Sequence, residues 1–151
     1  MIILFFGQPA SGKTTLADEF VDIANNSRNA SKFVRIDGDK WREITKNKDY
    51  SKEGRVRNLK GAFDMALYLE QEGFTPILSF VTPYNELRDY LQEHSKKLVQ
   101  IYLQYSGDRG RNMNFAKDFE EPLGESNTLS LDTSALNIDE CISKIIDYAQ
   151  Q

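Results

Sequence analysis

Two apolar patterns alternate along the chain. Short runs of strand length occur at Ile2–Phe6 (IILFF), 32–36 (KFVRI), 75–80 (TPILSF), 97–105 (KLVQIYLQY) and 128–132 (TLSLD). Between them, apolar residues recur every three or four positions, the period of an amphipathic helix. Ile2–Phe6 contains no polar residue, as expected of a central parallel strand covered on both faces. Lys13 to Asn26 predicts a helix with Leu16, Phe20 and Ile23 on one face. Residues 54–72 predict a second, with Val56, Leu59, Phe63, Ala66 and Leu67 aligned and Gly73 as its stop. Thr82-Pro83 reads as the N-cap and first position of a helix reaching Ser95. The last helix starts at Asn137, with Glu140 completing a capping box and Ile138, Cys141, Ile142, Ile145 and Ile146 on one stripe. Segments 25–31 and 106–127 are polar and turn-rich, and 40–53 is charged without a clear period.

Strands alternating with helices predict an α/β fold: a three-layer α/β/α sandwich around a mostly parallel five-stranded sheet. One domain is expected over 1–151, with a short lid at about 105–122. Such sheets bind ligands at the carboxyl ends of their strands. Gly7, Asp37 and Phe80–Thr82 fall there.

Composition narrows the classes. The chain has 151 residues and a net charge of −4, which suits one core and argues against a sequence-reading role on nucleic acid. Cys141 is its one cysteine, so no internal disulfide forms, which fits a reducing cytoplasm. The apolar start stops at Gly7, too short for a membrane span and without the basic start of a signal peptide. His94, the single histidine, lies on a polar helix and makes no metal site.

The chemistry starts at Gly7-Gln8-Pro9-Ala10-Ser11-Gly12-Lys13-Thr14, which matches G-x-x-x-x-G-K-[ST] between a strand and a helix. Glycines let the backbone curl so that its N–H groups point at phosphate oxygens, and the helix N-terminus adds partial positive charge. Gly7 to Thr15 are therefore expected to bind a nucleoside triphosphate, with Lys13 on the β- and γ-phosphates and Thr14 on Mg²⁺. A guanine signature fails at "NKDY" (47–50), where Tyr50 replaces an aspartate. Asp37-Gly38-Asp39 sets two carboxylates beside the loop, suited to binding metal water and to deprotonating an acceptor hydroxyl. A compact small-molecule kinase fits the length best. An ATP-binding regulatory module and a stand-alone ATPase are the other classes.

With these motifs in view, the sequence resembles adenylylsulfate kinases over nearly its whole length. The resemblance rests on "GQPASGKTTLA", "IDGDKWRE", "SKEGRVRNLKGAFDMALYLEQEGFTPILSFVTPY" and "LSLDTS". That family uses ATP to phosphorylate the 3′-hydroxyl of adenosine 5′-phosphosulfate (APS) and often forms dimers. The resemblance implies Asp39 as the base, Asp37 as the residue that orients Mg²⁺ or its water, and Arg42, Arg55 and Asn58 as holders of the acceptor's anionic end and sugar. Thr82 occupies the place of a family serine, and Phe80 precedes it on the acceptor side. Two departures stand out. Between Asp39 and Arg55 the chain is short, and Tyr50 replaces the family's stacking aromatic. In the cut-down lid, Phe115 is in register with the family's adenine-stacking phenylalanine, but Ala116-Lys117 replaces Thr-Gly. Arg109, Arg111 and Lys117 give the short lid its positive charge. Both departures lie on the acceptor side, so a CDP-linked acceptor such as cytidine diphosphoramidate is the alternative to APS.

Overall fold

A computed structural model describes residues 1–27, 33–106, 115–124 and 127–151. The elements run β1 (Ile2–Phe6), α1 (Lys13–Asn25), β2 (Phe33–Asp37), α2 (Gly38–Thr45), α3 (Lys52–Gln71), β3 (Thr75–Ser79), α4 (Asn85–His94), β4 (Leu98–Gln104), β5 (Thr128–Asp132) and α5 (Ile138–Ala149). The strands form one sheet in the order β2-β3-β1-β4-β5, and every pairing is parallel.

The uniformly apolar β1 lies at the centre, and its alternating side chains feed two cores. Ile2, Leu4 and Phe6 pack with Leu59, Phe63, Leu87 and Leu91 from α3 and α4. Ile3 and Phe5 pack on the other face with Leu16, Phe20, Cys141 and Ile145 from α1 and α5. Helices thus cover both faces, as the alternation predicts. Among the described residues no helix is long and apolar enough to cross a membrane.

The helix ends follow local chemistry. Beyond α3, Gly73 takes φ 90°, its N–H donates to Glu70 O and the Phe74 N–H donates to Leu69 O. This pair of bonds is the Schellman arrangement that a glycine at that position favours. The Asn137–Glu140 capping box forms at the start of α5.

Four expectations are corrected. The helix after β3 does not begin at Thr82-Pro83: Tyr84 is the N-cap and Asn85 the first helical residue. Thr82 instead takes φ 46°, and its hydroxyl donates to Phe80 O at 3.2 Å, so it turns the chain at the end of the strand. Ile23 is 42% exposed, because Val21 and Ala24 lie on the packed side of α1. Ile138 opens α5 at the surface, ahead of the buried Cys141, Ile142 and Ile145. The segment without a clear period contains α2, whose N-cap is Asp37, and the start of α3, whose N-cap is Ser51.

Candidate active site

The loop after β1 is fixed by its glycines and by its neighbours. Gly7 has φ 147°, its N–H donates to Val81 O at 3.3 Å, and a Cβ there would run into the Leu103 carbonyl oxygen. Gly12 has φ 98° and caps α1 without any side-chain bond, and the first turn of α1 carries no acidic residue. The leading N–H groups of α1 are therefore disposed toward an anion. Lys13 Nζ donates to Gln8 O at 2.8 Å and so lies back across the loop. From the end of β5, the Thr133 hydroxyl donates to Ser11 O at 2.8 Å and braces the loop from below. Sequence reasoning gave Thr133 no role.

Asp37 is the most heavily bonded carboxylate at this end of the sheet. One oxygen accepts from Thr14 Oγ1 at 3.1 Å and Ser79 Oγ at 2.7 Å, and the Arg35 guanidinium lies 3.4 Å away. The other accepts from the N–H groups of Asp39 and Lys40 at 3.2 and 3.3 Å, which starts α2. Burial pushes the Asp37 carboxyl up. Hydrogen bonds from Ser79, the Lys40 N–H and Thr14, with the Arg35 charge, outweigh it and bring the pKa below its ordinary value. An ionised carboxylate with its lone pairs so engaged is a poor proton acceptor. Asp39, two residues on, is exposed and lines the cleft. Ser79 and Arg35 were not expected here. Ser79 is directly opposite Asp37 in the β2–β3 register, and Arg35 shares a strand face with Asp37.

The sign of the Asp37 effect on stability follows. Its folded pKa lies below the unfolded value of about 3.9. The stability it contributes is therefore complete above about pH 4 and is lost as pH falls through the folded pKa. Asp37→Asn keeps a good N-cap. The variant is expected to be less stable than wild type at pH 7 and to show a flatter loss of stability below about pH 4. Urea midpoints measured from pH 7 downward check this; parallel acid limbs would assign the loss to other carboxylates.

A cleft of about 880 Å³ opens beside these groups. It brings together Pro9, Ala10, Gly12, Lys13, Thr14, Thr15, Asp37, Asp39, Arg42, Tyr50, Arg55, Asn58, Phe80, Thr82 and Phe115. Gly7, Gln8 and Ser11 build the loop without lining the cleft. Arg42 is held by Asn47 O and Oδ1 at 3.1 and 3.0 Å, and its guanidinium sits 4.2 Å from the Tyr50 ring centroid. Arg55 pairs with Asp118 at 3.5 Å. Asn58 is 6% exposed, and its Oδ1 is buried without a partner among the described residues. A buried unpaired acceptor is costly, so its place in a cleft marks a point for a ligand donor. Trp41 packs beneath this wall, donating from its indole to Asn58 O at 3.2 Å.

The lid expectation is corrected in part. Lys117 is exposed and is not among the residues lining the cleft, because the preceding Ala116 is the residue turned inward and buried. The segment 115–120 is bonded across the end of the sheet: the Tyr84 hydroxyl donates to Asp118 at 2.8 Å, and the Glu120 N–H donates to Pro83 O at 2.7 Å. Arg109 and Arg111 lie outside the described residues.

Comparison with known proteins gives this arrangement its context. The family model for adenylylsulphate kinase matches residues 1–115. The chain is similar to a probable adenylyl-sulfate kinase of Pseudomonas aeruginosa, 29% identical over 104 residues, covering 68% of this chain and 47% of that protein. It is similar to the cytidine diphosphoramidate kinase of Campylobacter jejuni, 27% identical over 103 residues, covering 68% of this chain and 59% of that protein. The match thus spans about half the length of these relatives. In fold, it superposes with TM-score 0.80 on an APS kinase of Mycobacterium tuberculosis solved with AMPPNP and APS, at 18% identity, covering 99% of this chain and 97% of that one. With most of its length, including the phosphate loop and the acidic pair, inside the family model, the chain belongs to the adenylylsulphate kinase family.

Proposed function

We propose that this protein transfers the γ-phosphoryl group of ATP to the ribose 3′-hydroxyl of a small anionic nucleotide, with APS as the preferred acceptor. The observation that carries this reading is one cleft in which Asp39, Arg42, Arg55 and Asn58 face a phosphate loop. Lys13 leaves Gln8 O for the β- and γ-phosphate oxygens. Asp39 takes the proton of the acceptor hydroxyl, since Asp37 is engaged by its donors. Arg42 and Arg55 hold the phosphate and sulfate oxygens, for which a guanidinium fork is shaped. Asn58 Oδ1 accepts from the acceptor's sugar or base. Tyr50 and Phe115 flank the base. Most of the rate then comes from positioning and charge neutralisation.

The donor set also fits Mg²⁺. The Thr14 and Ser79 hydroxyl oxygens lie 3.1 and 2.7 Å from one Asp37 carboxylate oxygen, and hard cations prefer oxygen. Among the described residues no group of three or more His, Cys, Asp or Glu forms a metal cluster, so Thr14 and Asp37 would hold the cation together with the nucleotide's own phosphates. Bound there, it neutralises charge on the transferring group.

A second acceptor class has a specific basis. The Campylobacter jejuni relative is a cytidine diphosphoramidate kinase, and the exposed Tyr50 and Phe115 can stack on a pyrimidine as well as on adenine. The test is ATP-dependent phosphorylation, read by mass spectrometry, against APS and a panel of CDP-, UDP- and ADP-linked compounds. A gain of one phosphoryl group on APS is expected. A gain on a CDP compound alone selects the second class. Tight ATP binding with no product on any acceptor replaces the kinase by a regulatory module, and phosphate release without acceptor by an ATPase.

A further inference from the structure

One side chain ties the phosphate loop to the acceptor side. The Gln8 carboxamide bonds twice to a single residue 108 positions away: Nε2 donates to Ala116 O at 2.9 Å, and Oε1 accepts from the Ala116 N–H at 2.9 Å. Ala116 is 2% exposed, so its N–H has little access to water and depends on this bond. A primary amide suits the task, because it carries a donor and an acceptor side by side. The residue before Ala116 is Phe115, which lines the cleft. The residues after it are anchored by Tyr84 on Asp118, by stacking of Phe119 on Tyr102 at 5.9 Å, and by the Asn85 N–H on the Glu120 carboxylate at 2.8 Å. Segment 115–120 is therefore a strap anchored at Ala116 and again at Asp118–Glu120, and Gln8 holds the end nearest the cleft.

The backbone of Gln8 bonds to the side chain that the kinase reading places on the phosphates. Its carbonyl accepts from Lys13 Nζ at 2.8 Å. The residue that holds Lys13 thus also holds the strap that presents Phe115.

We propose that Gln8 is a positioning residue that couples nucleotide binding in the phosphate loop to the strap carrying Phe115, so that ATP and acceptor bind with positive cooperativity. The inference rests on the kinase reading of Lys13. When Lys13 leaves Gln8 O for phosphate and the loop N–H groups close on the anion, the loop becomes more ordered. The carboxamide transmits that order to Ala116, and an acceptor meeting an ordered strap has less ordering left to do. The coupling is reciprocal: acceptor tightens ATP by the factor by which ATP tightens acceptor.

Amide hydrogen exchange on the full chain tests this, with and without MgATP at a concentration that saturates each variant. In wild type, MgATP slows exchange at 115–120 by about tenfold, within the usual range of coupling between sites. Gln8→Met keeps the length of the side chain and removes both bonds. Gln8→Glu keeps size and polarity but cannot donate to Ala116 O when ionised, and it carries the test if the methionine variant folds poorly. In both, MgATP still protects the start of α1 while its effect on 115–120 falls below about twofold, and the acceptor KM rises about tenfold and by more than the ATP KM. Equal MgATP protection of the strap in variants and wild type overturns the coupling, as does protection of α1 without any strap effect in wild type. Absence of MgATP protection at α1 in wild type overturns the kinase reading instead. Strap coupling in a protein that phosphorylates no acceptor keeps the inference and removes the kinase.

Discussion

Asp39→Asn is expected to lower turnover by about 10²–10⁴-fold, the usual loss with a general base, while MgATP still binds. The substitution conserves shape and removes only the ability to take a proton. Asp39 is an exposed residue in the first turn of α2, within the cleft, and its N–H leans on Asp37. Asn at this position keeps that backbone bond, so α2 and the Asp37 cage stay in place. Steady-state kinetics on the phosphorylated acceptor, with ATP binding measured by calorimetry, separates the two effects. A fall in kcat with little change in either KM marks an interaction made in the transition state. Unchanged turnover would take the base role from Asp39. Asp37 would not inherit it, because Thr14, Ser79, Arg35 and two backbone N–H groups already engage its oxygens.

The second large effect is at Lys13. Lys13→Ala is expected to weaken ATP binding by roughly 10–100-fold, the equivalent of one hydrogen bond to a charged group. It should also cut kcat by about 10²–10³-fold, as when one preorganised donor to developing charge is removed. Both parameters move because the ammonium meets the phosphates in the ground state and in the transition state. Arginine should not rescue either one, because its broad planar fork does not fit where a point charge lies across a tight loop. Lys13 Nζ already bonds to Gln8 O, so its loss also loosens the loop in the free protein. Comparison of melting temperatures with and without MgATP isolates the binding part. A variant that keeps its nucleotide-induced rise in melting temperature would place the phosphates elsewhere.

Much of the fold was legible in local pattern. The apolar Ile2–Phe6 became the central strand, the Lys13 helix followed the phosphate loop, and Gly73 and the Asn137–Glu140 pair ended and began helices where their chemistry predicts. Each of these depends on residues a few positions apart. Helix α2 was hidden because it has no buried residue and so no apolar stripe to read; its start is set by the Asp37 cap. Thr82-Pro83 carried the local signature of a helix start and did not make one. The chain must first turn at the end of β3 so that Val81 O can meet the Gly7 N–H.

The sequence by itself determined the five strands, most of the helices, the phosphate loop and the acidic pair, since periodicity, capping and the glycine requirement act within one element or turn. Tertiary structure alone decided which polar groups converge. Ser79 reaches Asp37 across 42 positions because β2 and β3 lie side by side in parallel register. Gln8 reaches Ala116 across 108, and Asp118 reaches Arg55. Such partners are set by strand order and crossovers, and an apolar pattern, whose range is a single strand or helix, carries no record of them.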